Sequence, residues 1–259
     1  MTRILAVTNQ KGGVGKTTTS VNLAAGLAQS GMRVLLVDLD PQGNATMGSG
    51  IDKRTLKTSI YQVLLGLATA DSARHKSESG GYDLIPANRD LAGAEVELVD
   101  LEHRESRLKG ALKSIAGQYE FILLDCPPAL NMLTLNGLVA ADAVMIPMQC
   151  EYYALEGLSD LVNTIKKARQ HLNPTLDIEG LLRTMYDPRN ALAQQVSAQL
   201  QEHFGEKVYE TVIPRNVRLA EAPSFGAPAV KLDRECKGSQ AYVALAGEIL
   251  SRNGIAAAA

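Results

Sequence analysis

A glycine-rich segment with two lysines lies near the amino terminus. Residues 10–18 read Gln-Lys-Gly-Gly-Val-Gly-Lys-Thr-Thr and follow the apolar run 4–7. Its glycines are Gly12, Gly13 and Gly15. Glycines in such a loop let backbone N–H groups converge on phosphate oxygens, Lys16 adds a positive charge, and the hydroxyl of Thr17 is suited to Mg²⁺. The segment therefore predicts a site for a nucleoside triphosphate with magnesium.

A second lysine, Lys11, lies at the entrance of this loop. The usual phosphate-loop pattern is G-x-x-x-x-G-K-[ST], and Gln10 stands where its first glycine is expected. One interpretation of Lys11 is a solvated loop lysine. The other is that MgATP keeps net negative charge beside Lys16, so that its phosphate oxygens remain open to a cation from a facing subunit, as an arginine finger supplies. On this second interpretation, dimerisation depends on ATP.

Three acids follow apolar runs that are typical of strands. Asp38 and Asp40 come after the run 34–37, and Asp125 comes after the run 121–124. Because the carboxyl ends of parallel strands meet at one edge of a sheet, we expect all three carboxylates beside the phosphate loop. Three acids at one loop suggest a metal site.

The three acids are expected to have different roles. Asp125 is typical of the acid that holds Mg²⁺ opposite the hydroxyl of Thr17, and Asp38 is assigned to the magnesium shell. Asp40 precedes Pro41 on a stiff loop, where a carboxylate can orient water in line with the γ-phosphate. The alternative is that the Asp40-Pro41 dipeptide only begins a turn.

Apolar runs alternate with segments of helical spacing along the whole chain. The predicted strands are 4–8, 34–37, 82–86, 121–124, 143–148, 178–185 and 208–213. The predicted helices are 17–29, 59–67, 104–115, 133–140, 155–171, 191–203 and 239–251. Such alternation predicts an α/β fold, with a mainly parallel sheet and helices on both faces. We expect one domain over 1–259, with a solvated loop at 71–81 and a frayed tail at 253–259.

The composition limits the classes of function. The formal net charge of the 259 residues is -2, so any contact with nucleic acid requires a local basic patch. Cys126, Cys150 and Cys236 form no C-x-x-C pair, which suits a reducing cytoplasm. We expect no signal peptide, no membrane-spanning segment and no membrane docking, because the first residues lack a basic-then-apolar pattern, no run of 18 apolar residues occurs, and the last residues do not form a basic amphipathic pattern. Zinc and iron–sulfur sites are unsupported, because the four histidines and the cysteines lack suitable spacing.

Several segments together resemble the ParA/Soj family of chromosome-partitioning ATPases, and the resemblance covers nearly the whole chain. The phosphate loop with its extra lysine is shared with MinD and the nitrogenase iron protein, so it indicates the superfamily of deviant P-loop NTPases. The segments Asp38 to Asn44 and Asp125-Cys126-Pro127-Pro128 contribute to the likeness, and the run Glu151 to Gly157 and the run Pro214 to Ser224 are much more specific to ParA/Soj.

The resemblance implies a homodimer that encloses ATP and Mg²⁺, with Lys11 crossing to the partner's phosphates and Asp40 activating the attacking water. It implies slow ATP hydrolysis, stimulated by a ParB-like protein. The residues matching the family's phosphate-binding segment are Lys11, Gly12, Gly13, Val14, Gly15, Lys16, Thr17 and Thr18. Pro214 and Asn216 match positions near the adenine. Arg189 and Arg218 match basic residues that grip double-stranded DNA nonspecifically, in a protein of the cytoplasm associated with the nucleoid.

Two other functions remain open at this point. The same switch fits an ATPase that positions a cargo other than the chromosome or a plasmid, or one that regulates replication initiation, because a fold does not select a cargo. A binding module without turnover is the third possibility. Arg189 and Arg218 also fit ordinary surface arginines, since residues 160–259 hold nearly equal numbers of basic and acidic side chains.

Overall fold

The computed structural model describes residues 2–255, which form one eight-stranded sheet. The strands are β1 (Arg3–Val7), β2 (Val34–Asp38), β3 (His75–Ser77), β4 (Tyr82–Ile85), β5 (Phe121–Asp125), β6 (Ala143–Met148), β7 (Asp177–Tyr186) and β8 (Val208–Pro214). Their order is β3-β4-β2-β5-β1-β6-β7-β8, and β3 alone runs antiparallel to its neighbour. The predicted mainly parallel sheet is confirmed.

Helices cover both faces of the sheet. They are α1 (Lys16–Gln29), α2 (Asn44–Gly48), α3 (Ile60–Leu65), α4 (Leu91–Glu97), α5 (Arg107–Leu112), α6 (Met132–Ala140), α7 (Ala154–His171), α8 (Ala191–Phe204), α9 (Val217–Glu221), α10 (Ala229–Leu232) and α11 (Lys237–Arg252). Short 3-10 helices occur at Leu98–Asp100, Arg104–Ser106, Ala116–Gln118, Gly205–Lys207 and Ala222–Phe225. The long crossovers that parallel strands require account for this arrangement.

The core has two halves, one on each face of the sheet. Leu5 and Val7 of β1 pack with α1 and α11, whereas Ala6 between them packs with the cluster that includes α3 through α8. The alternation of side chains along a strand produces this division. Both faces of β1 are therefore buried, and the loop after β1 starts from the interior of the sheet.

Three expectations need correction. Residues 71–81 are not entirely loop, because His75–Ser77 pairs with β4 as an edge strand. The helix expected over 104–115 is divided into a 3-10 turn and the shorter α5. Of the tail expected to fray at 253–259, Asn253 donates to Glu179 Oε1 at 3.2 Å and Ile255 packs against the core. Residues 256–259 lie outside the described residues.

Candidate nucleotide-binding site

The glycine-rich loop connects β1 to α1 at the carboxyl edge of the sheet. Gly13 and Gly15 adopt positive φ angles of 74° and 86°, which residues with a side chain rarely adopt. A Cβ atom built at Gly12 or Gly13 would meet no atom within 4 Å, so the backbone is approachable there. Helix α1 begins at Lys16, and its first N–H groups and its dipole favour an anion at this end.

Neighbouring strands hold this loop through its own carbonyl groups. The buried hydroxyl of Thr184 at the end of β7 donates to the carbonyl of Val14 at 2.8 Å. The side-chain amide of Gln149, after β6, donates to the carbonyl of Gly13 at 3.3 Å. Two carbonyls of the loop, those of Gly13 and Val14, are therefore bonded to side chains from β7 and from the segment after β6.

Lys16 lies within the loop rather than in solvent. The residue is 7% exposed, and its ammonium donates to the backbone carbonyl of Lys11 at 3.1 Å. Burial lowers the pKa of Lys16, while the carboxylates of Asp125 and Asp40 act in the opposite direction. A largely buried ammonium interacts strongly with a phosphate oxygen, because water screens the interaction less.

Two hydroxyls of α1 hold the carboxylate of Asp125 at the end of β5. Thr17 Oγ1 donates to Asp125 Oδ2 at 2.8 Å, and Ser20 Oγ donates to Oδ1 at 2.8 Å. Residues three apart on a helix lie on the same face, so the spacing of Thr17 and Ser20 matches a single carboxylate. Asp125 and Thr17 thus lie together as predicted, with oxygen donors of the kind that Mg²⁺ prefers.

Asp38 ends β2 directly beside Asp125, with which it is in register. Its Oδ2 accepts from the hydroxyl and the N–H of Thr46 at 2.7 and 2.8 Å, and its Oδ1 accepts from the N–H of Asp40 at 3.1 Å. Asp38 therefore fixes the start of α2 to the sheet. Within residues 2–255 no group of three His, Cys, Asp or Glu side chains is arranged to hold a metal ion.

The two buried carboxylates have perturbed acidities. Burial, together with the neighbouring Asp38 carboxylate, raises the pKa of Asp125 to about 8, against the hydrogen bonds from Thr17 and Ser20. Burial raises the pKa of Asp38 to about 6, although its bonds from Thr46 favour the charged form. A nearby cation would favour the charged forms of both groups, so this pair suits a site that receives Mg²⁺.

Asp40 is less buried than Asp38 and lies on a tight turn. Its Oδ1 accepts from the N–H of Gln42 at 2.9 Å, and its carbonyl accepts from the N–H of Gly43 at 2.8 Å. Gly43 has a φ of 60°, and a Cβ there would lie 2.7 Å from the carbonyl oxygen of Ala87. The turn expected at the Asp40-Pro41 dipeptide is therefore present, and it holds the Asp40 backbone rigidly beside the site.

Lys11 extends away from the loop and bonds to its own chain. Its ammonium lies 2.5 Å from Glu151 Oε2, with 45% of the lysine side chain and 51% of the glutamate side chain exposed. The N–H of Lys11 donates to Asn9 Oδ1 at 3.0 Å, and Asn9 in turn donates to the carbonyl of Pro147 at 2.8 Å. The base of Lys11 is thus held while its charged end is accessible.

Pro214 and Asn216 lie at the carboxyl end of β8, on the same edge of the sheet as the loop. Asn216 caps α9 by accepting from the N–H of Leu219 at 3.3 Å. A largely apolar cavity of about 260 Å³ lies between α1, α2 and the segment that follows Asn216. It is lined by Thr17, Thr18, Val21, Asn22, Asn44, Met47, Gly48, Leu219, Ala222, Pro223, Ala227 and Pro228.

Arg189 and Arg218 are exposed, and each pairs with acids of its own chain. Arg189 donates to both oxygens of Asp187 at 3.0 and 2.9 Å, which lowers the pKa of Asp187 to about 2. Arg218 lies 3.1 Å from Glu221 and 3.3 Å from Asp233. The two arginines belong to separate ion pairs, so neither forms a concentrated positive patch in a single chain.

Four polar residues that sequence reasoning missed now join the site. They are Ser20, Thr46, Gln149 and Thr184. Ser20 was detectable from its spacing to Thr17, whereas the others reach the site from distant segments and carry no local signal.

These features define a P-loop nucleotide-binding protein. A glycine loop joins strand β1 to helix α1, Lys16 and Thr17 begin that helix, and Asp125 lies opposite it. A family model described as an AAA domain matches residues 2–178. The chain is 54% identical to the chromosome partitioning protein ParA of Caulobacter vibrioides over 252 residues, which cover 96% of this chain and 94% of that protein. It is 53% identical to the sporulation initiation inhibitor protein Soj of Bacillus subtilis, over 96% of this chain and 98% of Soj. The chain therefore belongs to the ParA/Soj family of chromosome-partitioning ATPases.

A solved structure agrees with this fold. The cobyrinic acid a,c-diamide synthase of Mycobacterium smegmatis, crystallised with an ATP analogue and magnesium, has a TM-score of 0.88 and 41% identity. The alignment covers 97% of this chain and 95% of that one. Its printed name describes another reaction, so the fold alone does not choose the activity. Within residues 2–255, no helix combines the length and apolar character needed to cross a lipid bilayer.

Proposed function

We propose that this partitioning ATPase works as an ATP-dependent dimer switch on DNA. Two copies close over ATP and Mg²⁺, the resulting dimer binds double-stranded DNA without sequence preference, and a ParB-like partner stimulates hydrolysis and release. The observation that carries the proposal is the arrangement of Lys16 at the Lys11 carbonyl and Thr17 at Asp125, beside a second lysine whose side chain is about half exposed at the surface.

The phosphate-binding roles follow from positions in the loop. The N–H groups of Gly12 to Thr18 would bind phosphate oxygens, and Lys16 would exchange its bond to the Lys11 carbonyl for one to a phosphate. Thr17 and Asp125 would hold Mg²⁺, with Asp38 in the surrounding shell. The bound Mg²⁺ would neutralise charge that develops on the phosphate oxygens.

Hydrolysis requires an oriented water and an additional cation. Asp40 is held by its turn beside Asp38, and its carboxylate would orient the water for attack on the γ-phosphate. Lys11 would reach the phosphates of the second copy, as an arginine finger does in other nucleotide hydrolases. Pro214 and Asn216 would contact the adenine, because Pro214 ends β8 and Asn216 caps the start of α9 at the edge of the sheet that carries the loop.

The interaction with DNA would depend on the dimer. Arg189 and Arg218 are each balanced by nearby acids, so one copy offers DNA little net charge. A dimer doubles every contact, and phosphate contacts make affinity fall steeply with salt. The same switch could serve another cargo or replication initiation, and a neighbouring reading frame for a ParB-like protein would favour the chromosome or a plasmid.

Sedimentation velocity with magnesium and ATP or ADP tests the proposal. We expect a dimer with ATP only, a long-lived ATP dimer for Asp40→Ala, no nucleotide binding for Lys16→Ala, and an ATP-bound monomer for Lys11→Ala. A chain that stays monomeric with saturating MgATP when turnover is blocked would refute the switch.

Binding of DNA is measured separately on the ATP dimer. Arg189→Glu and Arg218→Glu should keep the dimer and lose DNA binding. Arg33→Glu is the matched control, because Arg33 is also exposed and ion-paired but precedes β2 at the opposite edge of the sheet. If Arg189→Glu and Arg218→Glu both retain salt-sensitive DNA binding, the DNA surface lies elsewhere, and an equal loss in the control would show that the loss is not specific to these two arginines. Phosphate release with and without DNA and partner separates an ATPase from a module without turnover.

A further inference from the structure

We propose that Glu151 is a positioning residue that holds Lys11 on its own chain until ATP recruits a second copy. This inference rests on the proposed ATP dimer and adds to it a residue that sets how readily the dimer forms. Its basis is the ion pair between Lys11 Nζ and Glu151 Oε2, at 2.5 Å.

The surroundings make this ion pair more than a chance surface contact. The segment that leads to Glu151 bonds to the loop at two further points, through Asn9 to the Pro147 carbonyl and through Gln149 to the Gly13 carbonyl. Asn9 also accepts from the N–H of Lys11. Both ends of the pair are therefore fixed at their backbones, which reduces the entropy lost when the side chains meet.

The two roles of Lys11 compete for one ammonium group. A lysine that bonds to its own Glu151 must leave that carboxylate to reach phosphates on the facing copy. Closure of the dimer then breaks two such pairs, one in each chain. By linkage, any interaction present only in the free chain opposes assembly by its own free energy.

The size of the effect is limited by solvent. Each partner is about half exposed, and exposed ion pairs change an equilibrium by about two- to fivefold. Two pairs together predict that neutralising Glu151 tightens the dimer by roughly four- to twenty-fivefold. Added salt screens an exposed pair, so the advantage should shrink as salt rises.

Sedimentation equilibrium of wild type, Glu151→Gln, Glu151→Asp and Glu156→Gln, with a non-hydrolysable ATP analogue and magnesium, tests the inference. Glu156 is the matched control, because it is exposed in the first turn of α7 and has no ion-pair partner among the described residues. At low salt, Glu151→Gln should dimerise roughly four- to twenty-fivefold more tightly than wild type and lose this advantage in high salt. Glu151→Asp should restore wild-type behaviour within about twofold, and Glu156→Gln should match wild type.

The outcomes separate this inference from the proposed function. If wild type dimerises but Glu151→Gln is no tighter than Glu156→Gln, or is weaker, the holding role of Glu151 is refuted and the ATP switch stands. If wild type does not dimerise with the analogue, both are refuted. Binding of the fluorescent analogue to dilute monomer should be the same in all four proteins, since Glu151 pairs with Lys11, whose ammonium is assigned to the phosphates of the facing copy and not to those of its own.

Discussion

The hydroxyl of Ser20 donates to Oδ1 of Asp125 at 2.8 Å, across the gap between the first helix and the central sheet. Thr17 takes the other oxygen, so a completely buried carboxylate has a donor on each side. Strand β5 and the start of α1 are thereby joined at the point where the phosphate loop ends. The same carboxylate is the proposed magnesium ligand, which makes Ser20 a support for that ligand.

Replacement of Ser20 by alanine should destabilise the chain by about 1–3 kcal/mol, because it leaves one oxygen of Asp125 buried without a donor. Urea unfolding measures the change. Ser30→Ala is the control, because the hydroxyls of Ser20 and Ser30 each donate to the carbonyl four residues earlier in the chain, at 3.1 Å, whereas the hydrogen bond of Ser30 involves no carboxylate. It should change stability by less than about 0.5 kcal/mol. Equal effects of the two substitutions would contradict the support role.

The acidities of Asp38 and Asp125 predict a pH dependence of stability. Both folded pKa values, about 6 and about 8, lie above the ordinary value of 3.8. The folded chain therefore binds more protons than the unfolded one, and stability falls as pH rises from about 4 through these values. We expect the free energy of unfolding, without nucleotide or magnesium, to decrease between pH 5 and about 8 and then level off.

Asp125→Asn should remove the part of this slope between about pH 6 and pH 8, because the amide does not titrate. Asp187→Asn is the control: Asp187 is partly exposed and Arg189 lowers its pKa, so its loss should leave that part of the curve unchanged. Urea unfolding across the pH range gives both curves. An unaltered slope in Asp125→Asn would show that this carboxylate is already charged in the free protein.

Gly50 and Gly226 bring the end of α2 against the 3-10 helix Ala222–Phe225. A Cβ at Gly50 would lie 2.8 Å from the carbonyl oxygen of Gly226, and the φ of Gly50 is 84°. Gly50→Ala should therefore lose about 1–2 kcal/mol from backbone strain and more from the collision. Gly81→Ala is the control for backbone strain without a collision, because Gly81 has a φ of 78° and no atom lies within 4 Å of its Cβ position. The midpoint temperature of thermal unfolding should be lower for Gly50→Ala than for Gly81→Ala. The reverse order would mean that the backbone near Gly226 shifts at little cost.

Thr184→Val should weaken nucleotide binding about fivefold, because it removes a buried donor from the Val14 carbonyl and loosens the loop. Thr184→Ser keeps the hydroxyl and should bind nearly as wild type does. Titration with a fluorescent nucleotide gives both affinities. If valine binds as tightly as threonine, the loop does not depend on this bond for its shape.

The sequence predicts the parts of the site that local rules govern. The phosphate loop, the start of α1 and the acids that end β2 and β5 follow from spacing and from the geometry of parallel sheets. Thr46 and Thr184 were not predictable, since they reach Asp38 and Val14 from other segments. The edge strand at His75–Ser77 was missed because its polar residues lack an apolar alternation, and pairing with β4 overrides that weak preference.

The position of β1 between β5 and β6 determines which part of the molecule would unfold last. Outer strands such as β3 have a neighbour on one side only and can open without disturbing the rest, whereas β1 is flanked by partners and covered above and below. The phosphate loop is attached to this innermost strand. A partly unfolded chain would therefore lose its outer strands first, while the phosphate loop kept its conformation. Substitutions should be tolerated better the farther they lie from the middle of the sheet.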